Sequence, residues 1–277
     1  MGHTKFRWVF PLANQRDHLL VPSTFRPAFT LLIQLFLLGL YMQKGKLYLI
    51  PVPLSEGAEP LSYTLVHDDI INKIDEYVVE NEKTARKFLK AAGLRIPQSQ
   101  LIIYDYGKHN RDKMDYGQIF ANVLKGKDLG LMSEAGCPAV ADPGSDIVME
   151  AHRRGIQVVP MVGPSSILLA LMGSGFNGQK FTFHGYLPID KGDRSKKIKD
   201  LESQSLREKI TQIFIETPFR NNQLMAELLR VAKPTTRLCV AANLTSAEEI
   251  ILTKTVGEWK KTSIDLHKIP TIFLLFA

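Results

Sequence analysis

From Lys46 onward the chain alternates short apolar or β-branched runs with stretches whose apolar residues recur every three or four positions. The runs "KLYLIPV", "YVVE", "QLIIYD", "DLGLMSE" and "QVVPM" have the length and texture of buried strands. Between them, "TLVHDDIINKID", "NEKTARKFLKAAG", "DYGQIFANVLKGK" and "SDIVMEAHRRG" carry helical spacing. Such alternation predicts βαβ crossovers and a mostly parallel sheet with helices on both faces. "NEKTARKFLKAAG" has a start signal at Asn81 and a stop at Gly93. After "PMVGPSS" the texture changes: a small-residue helix "SSILLALMGSG" leads to "KFTFHGYLP", a charged stretch, "ITQIFIET" and the helix "RNNQLMAELLRVAK". The last runs, "RLCVAAN", "EEIILTKTV" and "TIFLLFA", have little helix between them and predict an antiparallel addition. The expected organisation is an N-terminal α/β domain over residues 42 to 162 and a C-terminal mixed α/β domain over residues 163 to 277. There is no internal repeat and no low-complexity segment.

Composition narrows the class. The 277 residues, 45% hydrophobic and 23% charged, are those of an ordinary globular protein long enough for two domains. A surplus of 35 basic over 28 acidic side chains gives +7, which favours polyanionic partners such as nucleic acid but also suits a merely soluble basic enzyme. Cys137 and Cys239 lie far apart with no CxxC, and the seven histidines show no HExxH spacing. That pattern fits a reducing, cytoplasmic compartment, and no metal site is expected. Residues 1 to 41 stand apart: basic residues precede "FTLLIQLFLLGLYM", too short and too interrupted at Gln34 for a spanning helix of ~20 residues. No small-residue cleavage signal follows, and Met42 opens "MQKGKLYLIPVPL" as a natural start. Residues 1 to 41 therefore read as a non-native or flexible extension, with a membrane anchor as the alternative.

Chemistry has to come from the turns. "SEAGCPAVADPGSD", residues 133 to 146, stands where a strand hands over to a helix, and "VGPSS" opens the next helix one unit later. Neither is a Walker loop nor a GxGxxG fingerprint. Taken alone, the first is a tight βα connection or a place where bare main chain meets a ligand at the carboxyl end of a parallel sheet.

"LYLIPVP", "SEAGCPAVADPG", "VVPMVGPSSILLALMGSG", "FTFHGYLP", "IETPFR" and "LTSAEEI" occur in the order and spacing of the tetrapyrrole (corrin/porphyrin) methylase superfamily. The chain most resembles its ribosomal RNA small subunit methyltransferase I branch, over nearly everything from Lys46 onward. The resemblance implies a two-domain class III methyltransferase fold, with S-adenosyl-L-methionine in the interdomain cleft and a homodimer. By position it assigns Gly136, Cys137, Pro138 and Val140 to the donor's methionine part, and Ser165 and Ser166 to its polar groups. Ile215, Glu216 and Ala241 fall on the adenine side. A sulfonium needs carbonyls and no lysine nearby, and a helix N-terminus suits a carboxylate.

The acceptor implied by the resemblance is a ribose 2′-hydroxyl of ribosomal RNA, for which a general base helps. Glu80 matches a family glutamate; its other reading is a strand-end carboxylate capping the following helix. Lys83 stands at a basic family position, with Arg86 nearby, and His109 and Asn110 match a family "HN" pair. Lys191, Arg194, Lys196, Lys197 and Lys199 in "PIDKGDRSKKIKD" match a basic segment, and Arg220 in "TPFRNN" adds another candidate for RNA phosphates. The bland reading of that run is a solvated helix face. One departure concerns the acceptor alone: the branch reads like "TPIGNL" where this chain has "VPLSEGAEP". Pro53 is kept and the glycine-asparagine pair is not. Two other readings remain open: a tetrapyrrole-like or other small-molecule acceptor, and a non-catalytic RNA-binding protein on the same fold.

Overall fold

A computed structural model describes residues 43 to 108 and 110 to 277. The expectations placed on residues 1 to 41 and on His109 lie outside the described residues.

The first half is built on β1 (Lys46–Leu49), β2 (Glu76–Val79), β3 (Ile102–Asp105), β4 (Leu129–Met132) and β5 (Gln157–Pro160). Their order is β3-β2-β4-β1-β5, and every pairing is parallel. β2 and β4 are buried along their whole length, which is why their sequences are apolar without alternation. Val78 belongs to one core cluster with Leu47, Leu131 and Ile147, whereas its neighbours Tyr77 and Val79 belong to another with Ile50, Leu89 and Met132. Successive strand residues point to opposite faces, so both faces of this sheet are covered.

The helices in this half are α1 (Glu59–Ser62), α2 (Leu65–Ile71), α3 (Glu82–Ala91), α4 (Tyr116–Phe120) and α5 (Ser145–Arg153). Asn81 caps α3 by accepting from the Thr84 amide at 3.2 Å, and Gly93 leaves it in a left-handed conformation, as the sequence predicts. The long helix expected over "DYGQIFANVLKGK" is instead α4 followed by a single 3-10 turn, Val123–Lys125. A buried carboxyl group meets the chain at this break. Asn122 Nδ2 donates to Oε1 of Glu76 at 2.6 Å, and Glu76 is 1% exposed, so the backbone bends where that amide is needed.

The second half carries α6 (Ser166–Ser174), β6 (Phe181–Tyr186), α7 (Lys191–Glu208), β7 (Thr211–Ile215), α8 (Asn221–Val231), β8 (Arg237–Ala242), β9 (Ile250–Thr255), α9 (Val256–Trp259) and β10 (Thr271–Phe276). Strand order is β6-β7-β10-β8-β9, with β6 and β7 parallel and the remaining pairs antiparallel, the addition that the closing strand runs predict. Phe214, Val240 and Phe273 pack with Ile198 and Leu201 of α7 and Leu224 and Leu228 of α8. On the other face Ile213, Cys239 and Leu274 pack with Ile167, Ala170 and Leu171 of α6, and Leu54 from the loop after β1 joins them. Lys44–Ala277 thereby forms one compact body.

Candidate functional site

The loops leaving the neighbouring strands β1 and β4 are tied together: Val52 and Gly136 each donate an amide to the other's carbonyl at 2.9 Å. Beyond Gly136 the chain turns tightly, and Ala139 and Ala141 both hold positive φ, at 64° and 61°. Alanine enters that region at a steric cost, so the surrounding contacts fix this turn. The "VGPSS" turn lies against it. A Cβ on Gly163 would sit 2.1 Å from Pro51 Cβ, so only glycine lets this backbone rest on the proline ring. The Cys137 thiol donates to the Pro164 carbonyl at 3.3 Å, joining the two turns directly. Ser165 then caps α6 without a side-chain bond to its amides, leaving a helix start with free donors.

These turns and the second sheet enclose a cleft of about 490 Å³, the size of a small-molecule site. Gly136, Cys137, Val140, Ser165, Ser166, Ile215, Glu216 and Ala241 line it. Of the positions assigned to the donor, Pro138 alone does not; it is buried beneath the turn. Strand register explains the floor: Ile272 of β10 pairs with Ile215 on one side and Ala241 on the other. Leu54, Ser55, Asp142, Tyr186, Asn243 and Leu244 also line the cleft and were not anticipated. Asp142 stands inside the quoted turn, where a carboxylate beside two glycines was the available signal. Tyr186 and Leu244 arrive by strand pairing and packing, which no local pattern displays.

The lining carries two carboxylates, Asp142 and Glu216, and among the described residues no lysine or arginine. Burial pushes the Asp142 carboxyl up to about 6, the charges of Glu80 and Glu134 add to this, and the Ser133 hydroxyl opposes it. Glu80, just beyond β2, is also raised, chiefly by burial, while the Glu134 amide donates to its Oε2 at 3.3 Å. Glu80 does not line the cleft, and the reading of it as a helix cap is overturned: Asn81 caps α3.

The basic residues assigned to the acceptor fall in separate places. Lys83 is exposed on the first turn of α3, and Arg86 is held by Glu82 at 2.8 Å and by the Gln98 carbonyl at 2.6 Å. Asn110 is exposed in the turn after β3. Lys191, Lys196 and Lys199 are exposed on α7; Arg194 donates to the Ile189 carbonyl at 3.1 Å, and the half-buried Lys197 places its charge beside His184. The charged stretch is thus mostly regular helix. Arg220 is paired with the buried Glu216 at 2.7 Å. Among the described residues no group of three His, Cys, Asp or Glu side chains is placed to hold a metal, and no helix is long and apolar enough to cross a membrane.

Residues 53–260 match the sequence model of the Tetrapyrrole (Corrin/Porphyrin) Methylases. The chain is similar to the ribosomal RNA small subunit methyltransferase I of Neisseria meningitidis serogroup B, 30% identical over 214 residues, 77% of this chain and 69% of that protein. The Bacillus subtilis protein of the same name is 28% identical over 214 residues, 77% of this chain and 68% of that one. Among solved structures, a uroporphyrin-III-C-methyltransferase from Thermus thermophilus gives a TM-score of 0.49 at 15% identity, covering 84% of this chain and 92% of that one.

Proposed function

Since the chain belongs to the tetrapyrrole (corrin/porphyrin) methylase family and is thereby an S-adenosylmethionine-dependent methyltransferase, we propose that it holds the donor in the cleft between its two sheets and methylates a ribose 2′-hydroxyl of ribosomal RNA. The residues present fit such a donor. The open start of α6, with the hydroxyls of Ser165 and Ser166, suits a carboxylate. The strained 136 to 141 turn presents main chain in place of bulky side chains, and Ile215, Ala241 and Ile272 offer an apolar surface for a purine. Glu216 is already answered by Arg220, but Asp142, in a lining without lysine or arginine, suits a cation. When bound, S-adenosylmethionine supplies an activated methyl group on a sulfonium.

The protein's own work is then to align, to exclude water and to accept a proton. Cys137 keeps the two turns in register through Pro164. Glu80 is the base in this reading: burial raises its proton affinity, and its carboxylate is fixed by the Glu134 amide at the carboxyl end of β2. RNA as acceptor draws support from the names of the relatives and from the exposed lysines of α7.

The observation that carries the proposal is the convergence of eight family-matched positions, from four separated segments, on one cleft. Calorimetry with S-adenosylhomocysteine tests the donor, and mass spectrometry of 16S rRNA from a deletion strain tests the acceptor. Binding together with a missing ribose methyl is the expected pair of results. An unchanged modification profile removes ribosomal RNA, and intact RNA binding without donor affinity marks a non-catalytic binder.

A further inference from the structure

At the carboxyl ends of the parallel strands β6 and β7, where Tyr186 and Ile215 are register partners, two aromatic side chains stand in solvent. Tyr186 is 60% exposed and Phe219 is 66% exposed. Tyr186 forms part of the cleft wall, and Phe219 directly follows Pro218, which does so too.

An exposed phenylalanine on a loose loop would mean little. Phe219 instead sits on a turn fixed from below. The Lys268 amide donates to the Pro218 carbonyl at 3.0 Å, and Asn221 Nδ2 donates to the Ile269 carbonyl at 2.6 Å. Asn222 bonds both the Asp265 carboxylate and the Leu266 amide. Lys268 itself is held at φ 61°, and its ammonium lies 5.9 Å from the centroid of the Phe219 ring. The His267 ring approaches the same phenyl group edge-on.

We propose that Phe219 and Tyr186 form a stacking platform beside the donor cleft for an unpaired nucleotide of the RNA acceptor, with Lys268 placed to meet its phosphate. The inference rests on the RNA-methyltransferase reading and adds to it the groups that engage the base. Recognition of particular nucleotides in folded RNA targets unpaired bases that are splayed out of the stack, and an aromatic face replaces the lost stacking whatever the base. A cation beside the ring complements the phosphate that a base carries with it.

Three variants test this. Phe219→Ala raises KM for protein-free 16S rRNA by about tenfold and leaves S-adenosylhomocysteine affinity unchanged, whereas Phe219→Tyr, which keeps a ring, restores the wild-type KM. Phe219→Trp places an indole at the platform, and its emission is quenched by a short single-stranded RNA oligonucleotide beyond any change in the wild-type chain. A wild-type KM in Phe219→Ala, or an unquenched Phe219→Trp in the presence of RNA that binds, overturns the platform. So does a shift of Phe219→Ala from dimer to monomer in sedimentation, which assigns the ring to a contact between copies. If the wild-type chain binds S-adenosylhomocysteine but methylates no RNA, the acceptor assignment fails, and the quenching measurement still decides the platform.

Discussion

At the scale of single residues, Cys137 and Asp142 bear most on the cleft. Burial raises the Cys137 pKa, so the thiol stays protonated and can donate to Pro164. Cys137→Ser preserves a donor and should keep S-adenosylhomocysteine binding within about threefold by calorimetry, the scale of one altered hydrogen bond. Cys137→Arg puts a guanidinium against the sulfonium of a bound S-adenosylmethionine and should abolish S-adenosylmethionine binding; unaltered affinity for that donor contradicts the assignment of this turn. Asp142 gives a pH test. Its folded pKa, near 6, lies above that of an unfolded aspartate, so the folded chain binds the extra proton. The contribution to stability is complete below about pH 4 and is lost as pH rises through 6. Thermal melts should show Asp142→Asn gaining on the wild type between pH 4 and pH 7, and a constant difference across that range contradicts the raised pKa.

At the scale of elements, local chemistry made most of the fold legible. Asn81, Gly93 and the apolar runs of β1 to β5 each act over a few residues, and the elements form where those signals stand. The departures from these signals differ in range. "DYGQIFANVLKGK" breaks because Asn122 must reach Glu76, forty-six positions away in sequence. Glu80 is not a cap because the adjacent Asn81 takes that place, while Arg86 and Arg220 meet carboxylates one helical turn away, Glu82 and Glu216. The start of α6 makes a prediction of its own. A capping serine replaced by alanine ordinarily costs about 1 kcal/mol, yet Ser165 makes no such bond, so Ser165→Ala should cost under about 0.5 kcal/mol in chemical denaturation. Gly163→Ala should behave oppositely: its Cβ collides with the Pro51 ring, and a loss of about 1–3 kcal/mol is expected from overpacking. A Gly163→Ala chain as stable as wild type would mean that the two turns are not held as described.

At the scale of the whole molecule, the cleft arises from assembly of two sheets around turns that lie far apart in the chain. The family-matched turns were readable in the sequence, but the wall supplied by Tyr186, Leu244 and Ile272 required the strand order β6-β7-β10-β8-β9. The surplus of +7 has a consequence for the proposed RNA binding. Affinity should fall steeply with salt, and Lys191→Ala with Lys196→Ala should together lessen the slope of log K against log salt by about 1.4–1.8. An unchanged slope would remove α7 from the RNA surface. The most direct test of the central assignment is a crystal structure with S-adenosylhomocysteine. Density for the nucleoside against Ile215 and Ala241, with the sulfur beside the turn at Gly136 and Cys137, is the expected result. A nucleoside bound elsewhere, or a cleft that closes without it, contradicts the assignment.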